Sequence, residues 1–143
     1  ETNPDVELVC PLAPDPEVMS LAGEILGERE RIHLIKPLPH KDFLNIAARS
    51  TLIITDSGTI QEEAPALHKP VLLLREKTER QEAVDVGAVQ IVGTDPTSIQ
   101  QAVFELLNNS HAYQKMATAP NPFGDGHASD HILRIIEDYL KAK

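Results

Sequence analysis

Short aliphatic runs separated by amphipathic stretches are the feature that most restricts how this chain can fold. Five runs are predicted as strands, at residues 6–12, 31–37, 51–55, 70–75 and 88–93. Helical segments between them make the chain a series of βαβ units and predict parallel strands. Uninterrupted runs such as Leu-Ile-Ile and Val-Leu-Leu-Leu are typical of strands covered on both faces. The predicted fold is an α/β doubly wound parallel sheet of five or six strands.

Capping residues set the predicted helix boundaries. Asp15 is a suitable N-cap, Pro16 would occupy the first helical position, and Gly27 would end that helix. Asp95 is predicted to cap a long helix in the same way. Outside the strands, the other predictions are a helix at 40–50 with Phe43, Leu44, Ala47 and Ala48 on one face, a polar loop at 76–87, the long helix at 96–109, a shorter helix, a turn at 121–126 and a last helix from about 127 to 143.

Size, charge and cysteine content limit the functions that the chain can have. Its 143 residues fit one domain, 1–143, and a net charge of −9 argues against a nucleic-acid partner. Cys10 is the single cysteine, which suits a reducing, cytoplasmic location. No apolar run approaches the ~20 residues of a membrane helix, so no membrane partner is expected. The first residues lack a signal-peptide pattern and look cut from a longer chain.

The predicted strands end in polar groups, and in open α/β sheets ligands bind at the carboxyl ends of strands. Neither the dinucleotide fingerprint G-x-G-x-x-G nor the P-loop pattern is present. His127 and His131 are spaced by four residues, but no third ligand accompanies them, so a metal site is not expected. We therefore expect a bound ligand at this edge, with no cofactor and no metal.

The segment Ser57-Gly58-Thr59 joins the third predicted strand to a helix. The first N–H groups of a helix have no partner within it and favour an anion, and Gly58 would let a phosphate approach the backbone. The hydroxyls of Ser57 and Thr59 would add donors. The alternative is that Ser57 simply caps the helix, and the spacing alone does not decide between the two.

Two adjacent carboxylates, Glu62 and Glu63, follow in what is predicted to be the first turn or so of this helix. They could merely complement the helix dipole, or one of them could accept hydrogen bonds from sugar hydroxyls. Adjacent helical residues point about 100° apart, so both are not expected to serve one ligand. Pro65 is predicted to end or bend a helix that need only be short.

Three cations, Arg75, Lys77 and Arg80, come after the fourth predicted strand. If sequential strands are neighbours, these side chains lie beside Ser57–Thr59 and could neutralise a diphosphate there. The alternative is a solvated loop of mixed charge. Composition alone favours that alternative.

The stretch TDSGTIQEEAPALHKPVLLLREKTERQEAVDVGAVQIVGTD resembles the C-terminal domain of the non-hydrolysing UDP-N-acetylglucosamine 2-epimerases. NPDVELVCPLAPDPEV at the start and NPFGDGHASDHI near the end are also similar to that family, so the resemblance covers nearly the whole chain. It implies a Rossmann-like domain, one half of a glycosyltransferase-B-type architecture. It also implies interconversion of UDP-GlcNAc and UDP-ManNAc through elimination and re-addition of UDP.

The resemblance implies a role for individual residues in UDP binding. Ser57 and Gly58, with Thr59 beside them, would donate to the diphosphate, and Arg80 would support the phosphate loop. Glu63 would accept from the ribose hydroxyls. The backbone of Lys36, Pro37 and Leu38 would face the uracil.

The resemblance also implies partners for this chain. UDP or a UDP-N-acetylhexosamine would be the ligand, and a homodimer would form from the full enzyme. The family's acidic catalytic residues belong to an N-terminal domain, so this chain contains no catalytic residue and is expected to be inactive alone.

Three positions depart from the family pattern. Thr59 and His68 stand where the family usually has Gly, and Ala13 stands where it commonly has His. Thr59 would either crowd a phosphate or add a donor. Two alternatives remain open at this point: the nucleotide-binding half of a glycosyltransferase of the same architecture, and a non-catalytic UDP-binding module.

Overall fold

A computed structural model describes residues 3–27 and 29–142. Within them, strands and helices alternate as predicted. The elements are β1 (Leu8–Pro11), α1 (Pro16–Leu26), β2 (Ile32–Ile35), α2 (His40–Arg49), β3 (Ile53–Thr55), α3 (Gly58–Glu63), a 3-10 helix (Ala64–Leu67), β4 (Val71–Leu73), α4 (Gln81–Asp85), β5 (Val89–Ile91), α5 (Pro96–Asn108), α6 (Ser110–Ala117) and α7 (Ala128–Lys141). The chain divides into two compact units, the first ending at Asn45 and the second beginning at Ile46.

The five strands of the described residues are each parallel to their neighbours, and hydrogen bonds group them into two sheets. In the first unit β1 pairs with β2, with Leu8 opposite Ile32. In the second unit the order is β3-β4-β5, with Val71 between Ile53 and Val89. The predicted α/β class with parallel strands is confirmed, whereas the division of the strands into a pair and a triplet is a feature that the sequence did not predict.

Both faces of β4 are covered, which is why its three residues are fully buried. Val71 and Leu73 face one way and pack with Ala64, Ala83 and Val89. Leu72 points to the opposite face and packs with two residues of α5, Ala102 and Leu106. Since successive side chains of a strand alternate between faces, this continuous aliphatic run needs helices on both sides. The second unit is doubly wound, as its sequence pattern indicates.

The predicted caps of α1 are confirmed. Asp15 Oδ1 accepts hydrogen bonds from the backbone N–H groups of Glu17 and Val18, at 2.8 and 3.3 Å. Pro16 begins the helix, and Gly27 ends it by donating its N–H to the Gly23 carbonyl. The Asp15 carboxylate thereby satisfies N–H donors that the first turn of a helix leaves without a partner.

One local prediction was wrong. The predicted loop at 76–87 contains the short helix α4, because Ala83 is buried in the core beneath its charged neighbours. The helix predicted at 40–50 is present as α2, where Ala47 is buried, Phe43 and Leu44 are half-buried, and Ala48 is exposed.

Helix α7 begins within a residue of its predicted position and keeps its apolar residues exposed. Its exposed apolar side chains are Ile132, Leu133, Ile135, Ile136, Tyr139 and Leu140. None of the described helices is long and apolar enough to cross a membrane.

Candidate functional site

The turn between β3 and α3 begins with a hydrogen bond from the Ser57 N–H to Thr55 Oγ1, at 3.0 Å. Ser57 occupies the N-cap position of α3, in an extended conformation. Its hydroxyl, however, makes no capping hydrogen bond to the described residues of the helix. The alternative in which Ser57 serves as a side-chain cap is therefore not what the structure contains.

Gly58 is the residue on which Arg80 packs. A Cβ added to Gly58 would lie 3.1 Å from both Cζ and Nη1 of Arg80, closer than ordinary van der Waals contact. A residue with a Cβ at this position would require the guanidinium to move by a few tenths of an ångström. The predicted proximity of Arg80 to this turn is confirmed, and it arises because β3 and β4 are neighbours in the sheet.

Two carboxylates hold the Arg80 side chain. Its Nε donates to Glu62 Oε1 at 2.8 Å, and its Nη1 also contacts Glu79. The hydrogen bond to Glu62 raises the pKa of Arg80, and the Glu79 charge acts in the same direction. Arg80 is thus a permanent, half-buried cation fixed beside Gly58.

The other two cations of this segment, Arg75 and Lys77, have different surroundings from Arg80. Arg75 Nη1 lies 3.6 Å from Glu79 Oε2, and Lys77 is exposed. A hydrogen bond from its own backbone N–H lowers the pKa of Glu79, and the charges of Arg80 and Arg75 lower it further. The mixed-charge interpretation therefore describes Arg75 and Lys77, whereas Arg80 reaches the turn.

A buried amide, Gln61, connects the turn to the segment that carries Arg80. Gln61 is fully buried, donates to the Ser57 carbonyl at 3.2 Å, and accepts from Thr78 Oγ1 at 2.5 Å. Sequence reasoning did not single out Gln61 or Thr78. The signal was present in the spacing, because Gln61 shares a helical face with Ala64 and Pro65, which are buried.

The prediction that Glu62 and Glu63 lie in the first turn of the helix was wrong. They are the last two residues of α3, which contains no acidic residue in its first turn. Pro65 follows in a 3-10 helix, so it ends a short helix as predicted. Glu62 faces Arg80, while Glu63 is half-buried with its Oε2 atom inaccessible to solvent. The two carboxylates therefore do different things, consistent with their ~100° separation.

The remaining predicted site residues lie outside this hydrogen-bonded group. Thr59 is the second residue of α3, and its side chain is exposed. Lys36, Pro37 and Leu38 form the loop between β2 and α2 in the first unit; Lys36 and Pro37 are exposed and Leu38 is half-buried.

His68 departs from the family pattern at a position with a particular backbone requirement. It ends the 3-10 helix with φ 56° and ψ 42°, the left-handed region. A residue without Cβ adopts this conformation at little cost, which explains why glycine suits the position. Ala13, the third departure, is exposed in the loop after β1.

An open depression of about 440 Å³ lies between β5 and α5 and shares no residue with the turn after β3. Its lining includes Gln90, Gln101 and Glu105. Within residues 3–27 and 29–142, no three His, Cys, Asp or Glu side chains are grouped so that they could hold a metal ion.

Parallel strands, with an arginine from the segment after β4 packed on the turn after β3, define an α/β unit with a fixed cation beside the carboxyl end of β3. The family model for UDP-N-acetylglucosamine 2-epimerase matches residues 1–137. The chain therefore belongs to the UDP-N-acetylglucosamine 2-epimerase family.

Individual relatives agree with this assignment. UDP-N-acetylglucosamine 2-epimerase of Bacillus subtilis (strain 168) is 48% identical over 136 residues, which are 95% of this chain and 35% of that protein. An S. aureus MnaA–UDP co-structure is 47% identical with a TM-score of 0.87, covering 96% of this chain and 37% of that one. UDP-GlcNAc 2-epimerase from Neisseria meningitidis bound to UDP-GlcNAc is 39% identical with a TM-score of 0.89, at 96% and 37% coverage. The chain thus spans about a third of the length of the curated relatives it matches.

Proposed function

We propose that this chain is the C-terminal, UDP-binding domain of an enzyme that interconverts UDP-GlcNAc and UDP-ManNAc. The observation that carries the proposal is the packing of the Arg80 guanidinium on Gly58, beside a Ser57 hydroxyl that does not cap α3. Support comes from relatives of the same fold that bind UDP and UDP-GlcNAc. Membership of the family favours an epimerase over the glycosyltransferase alternative.

In this proposal the diphosphate lies at the turn after β3. The backbone N–H groups at Gly58 and Thr59 and the Ser57 hydroxyl donate to phosphate oxygens. Arg80 supplies the positive charge, in a position already fixed by Glu62. Because α3 has only six residues, its dipole contributes little, and the arginine is the main source of attraction.

The nucleoside is held by other residues. Glu63 accepts hydrogen bonds from the ribose hydroxyls, for which its half-buried carboxylate is suited because an acceptor withdrawn from water binds a hydroxyl more strongly. The backbone of Lys36, Pro37 and Leu38 faces the uracil. The UDP-binding domain that we propose is residues 1–143.

In this proposal the turn assists the reaction by stabilising the negative charge on the UDP leaving group. When the bond between the sugar C1 and the diphosphate oxygen breaks, negative charge develops on UDP. Donors fixed before the reaction stabilise that charge without having to reorganise. Elimination breaks the C2–H bond as well as the C1–O bond and leaves a double bond between C1 and C2, and the donors retain UDP during this step. Re-addition returns UDP to C1 and a proton to the opposite face of C2, and this inverts the configuration at C2.

The whole protein adds what this chain does not supply. An N-terminal domain provides the acidic catalytic residues, and the two domains form the glycosyltransferase-B-type architecture. The full enzyme works as a homodimer in the cytoplasm. The 143-residue chain alone binds UDP and does not epimerise UDP-GlcNAc.

The proposal is tested by calorimetric titration of the chain with UDP. Arg80→Gln is expected to weaken UDP binding about tenfold, because it removes a charge-assisted contact to phosphate. Arg134→Gln, which makes the same charge change on the exposed helix α7, is the matched control and should leave the affinity unchanged. No heat with UDP at millimolar concentration, or equal effects of the two variants, would overturn the proposal.

A further inference from the structure

We infer that Gln61 is a positioning residue for the phosphate-binding turn, acting through Thr78 on Arg80. Its buried amide holds the Ser57 turn and the Arg80 segment at a fixed separation before any ligand binds. The inference rests on the proposed UDP site for its function, although the hydrogen bonds that carry it do not involve a ligand.

The orientation of the Gln61 amide follows from its partners. The Ser57 carbonyl can only accept, so Gln61 Nε2 must face it, at 3.2 Å. Oε1 then faces the Thr78 hydroxyl, which donates to it at 2.5 Å. Both ends of the amide are used, as a polar group with no exposed surface requires.

Thr78 passes this constraint on to Arg80. Its Oγ1 accepts the backbone N–H of Arg80 at 3.0 Å while donating its own proton to Gln61. Glu62 meanwhile holds the guanidinium through Nε. Arg80 is therefore fixed at its backbone through Thr78 and at its side chain through Glu62, and both of these connections begin on α3.

Burial of a polar side chain at this position is not needed for packing. Ala64 and Pro65, on the same helical face as Gln61, are buried apolar residues. An apolar side chain of similar length, such as Met, would fill the space without having to satisfy an amide. What Gln61 adds is the connection between two segments that are 17 residues apart at Thr78.

The test uses two variants that break the chain of hydrogen bonds at different points. Gln61→Met removes both bonds of the amide, and Thr78→Val removes the hydroxyl at nearly constant volume. Thr78→Ser retains the hydroxyl and is the control. Should Gln61→Met fail to fold, Thr78→Val carries the test alone.

Two readouts separate positioning from support of the fold. The first, without ligand, is the exchange rate of the Arg80 Nε–H by ¹⁵N NMR, expected to rise about fivefold in Thr78→Val and to stay unchanged in Thr78→Ser. The second is the UDP dissociation constant, expected to rise about fivefold in Thr78→Val. That rise should disappear in an Arg80→Gln background, because the effect is exerted through Arg80.

The outcomes distinguish the two proposals. If Thr78→Val lowers the melting temperature but leaves the Arg80 Nε–H exchange unchanged, Gln61 only supports the fold and the inference is wrong. If the affinity loss is the same with and without Arg80, it is also wrong. If the unaltered chain binds no UDP, the proposed function fails, whereas the exchange measurement still decides whether Gln61 positions Arg80.

Discussion

Two turns in the second unit lead from a strand into a helix, and they are built in opposite ways. Before α5, Asp95 Oδ2 accepts from both the backbone N–H and the hydroxyl of Ser98, at 2.8 and 2.9 Å. Before α3, Ser57 occupies the same N-cap position without a capping bond to the described helix. The first turn is stabilised by its own side chain. The second is held by Gln61 of the helix that it starts, and Arg80 packs on it from the segment after β4.

The difference extends to the helices that follow. The capped turn starts α5, which has 13 residues and contributes Ala102 and Leu106 to the core. The uncapped turn starts α3, which has six residues and ends before Pro65. A turn whose N-cap residue makes no side-chain cap and against which a cation packs is suited to a ligand, whereas a turn that caps its own helix is suited to stability.

Ser57→Asp, which gives the uncapped turn the residue type of the capped one, has the largest expected effect. A carboxylate at this position repels a diphosphate and competes for Arg80, so UDP affinity should fall by more than about tenfold. The melting temperature should stay level or rise, because α3 gains a cap. Ser57→Asn adds a cap without the charge and is the control, expected to lose less affinity in the same calorimetric titration. If Ser57→Asp binds UDP as tightly as the unaltered chain, the proposal that the uncapped turn is the one that binds the ligand is wrong.

Asp95→Ala should break the capped turn and leave UDP binding intact. The melting temperature is expected to fall by about 3 °C, with no change in the UDP dissociation constant. Ser98→Ala, which removes only the hydroxyl contact, should have a smaller effect in the same thermal melt. A loss of UDP affinity in Asp95→Ala would show that the two turns are not independent.

The contribution of Asp95 should also depend on pH. The backbone hydrogen bond from Ser98 lowers the pKa of Asp95 below its ordinary value of 3.8. A carboxylate whose pKa is lowered by folding stabilises the protein above the unfolded value and stops doing so as the pH falls through the folded one. The difference in melting temperature between the unaltered chain and Asp95→Ala should therefore be constant near neutral pH and narrow below pH 3.8. If the difference in melting temperature instead grows as the pH is lowered, the pKa of Asp95 is not lowered by folding.

His68→Gly, at a third turn, has the smallest expected effect and serves as a reference. It relieves a left-handed residue at φ 56°, so the free energy of unfolding should rise by about 0.5–1 kcal/mol. UDP affinity should not change, since the turn lies before β4. His68→Ala keeps the Cβ and should give no gain in a urea titration. An equal gain from both variants would mean that backbone strain is not the cause.

The sequence predicted those features that depend on local chemistry. The caps at Asp15 and Asp95, the end of α3 at Pro65 and the buried aliphatic strand β4 all follow from residue type and spacing. The approach of Arg80 to Gly58 was expected only on the condition that sequential strands are neighbours, which β3 and β4 are, whereas composition alone favoured a solvated loop.

What the sequence could not predict depends on contacts between distant residues. The role of Gln61 requires Thr78. The spacing of residues gave no reason to choose Arg80 over Lys77; the resemblance named Arg80, and its packing on Gly58 agrees with that. The helix α4 was missed because a single buried alanine, Ala83, anchors an otherwise charged segment. The grouping of the strands into two sheets also depends on which strand edges form hydrogen bonds with each other. Residue types alone do not predict this.

The central claim, that the turn after β3 holds a diphosphate, is tested most directly by following backbone amide signals in a ¹⁵N NMR titration with UDP. The amides of Ser57 and Gly58 and the Arg80 Nε–H should shift together and saturate with one dissociation constant, while the amide of Ser98 at the capped turn stays in place. Shifts confined to other parts of the second unit, with Ser57, Gly58 and Arg80 unchanged at saturating UDP, would contradict the claim.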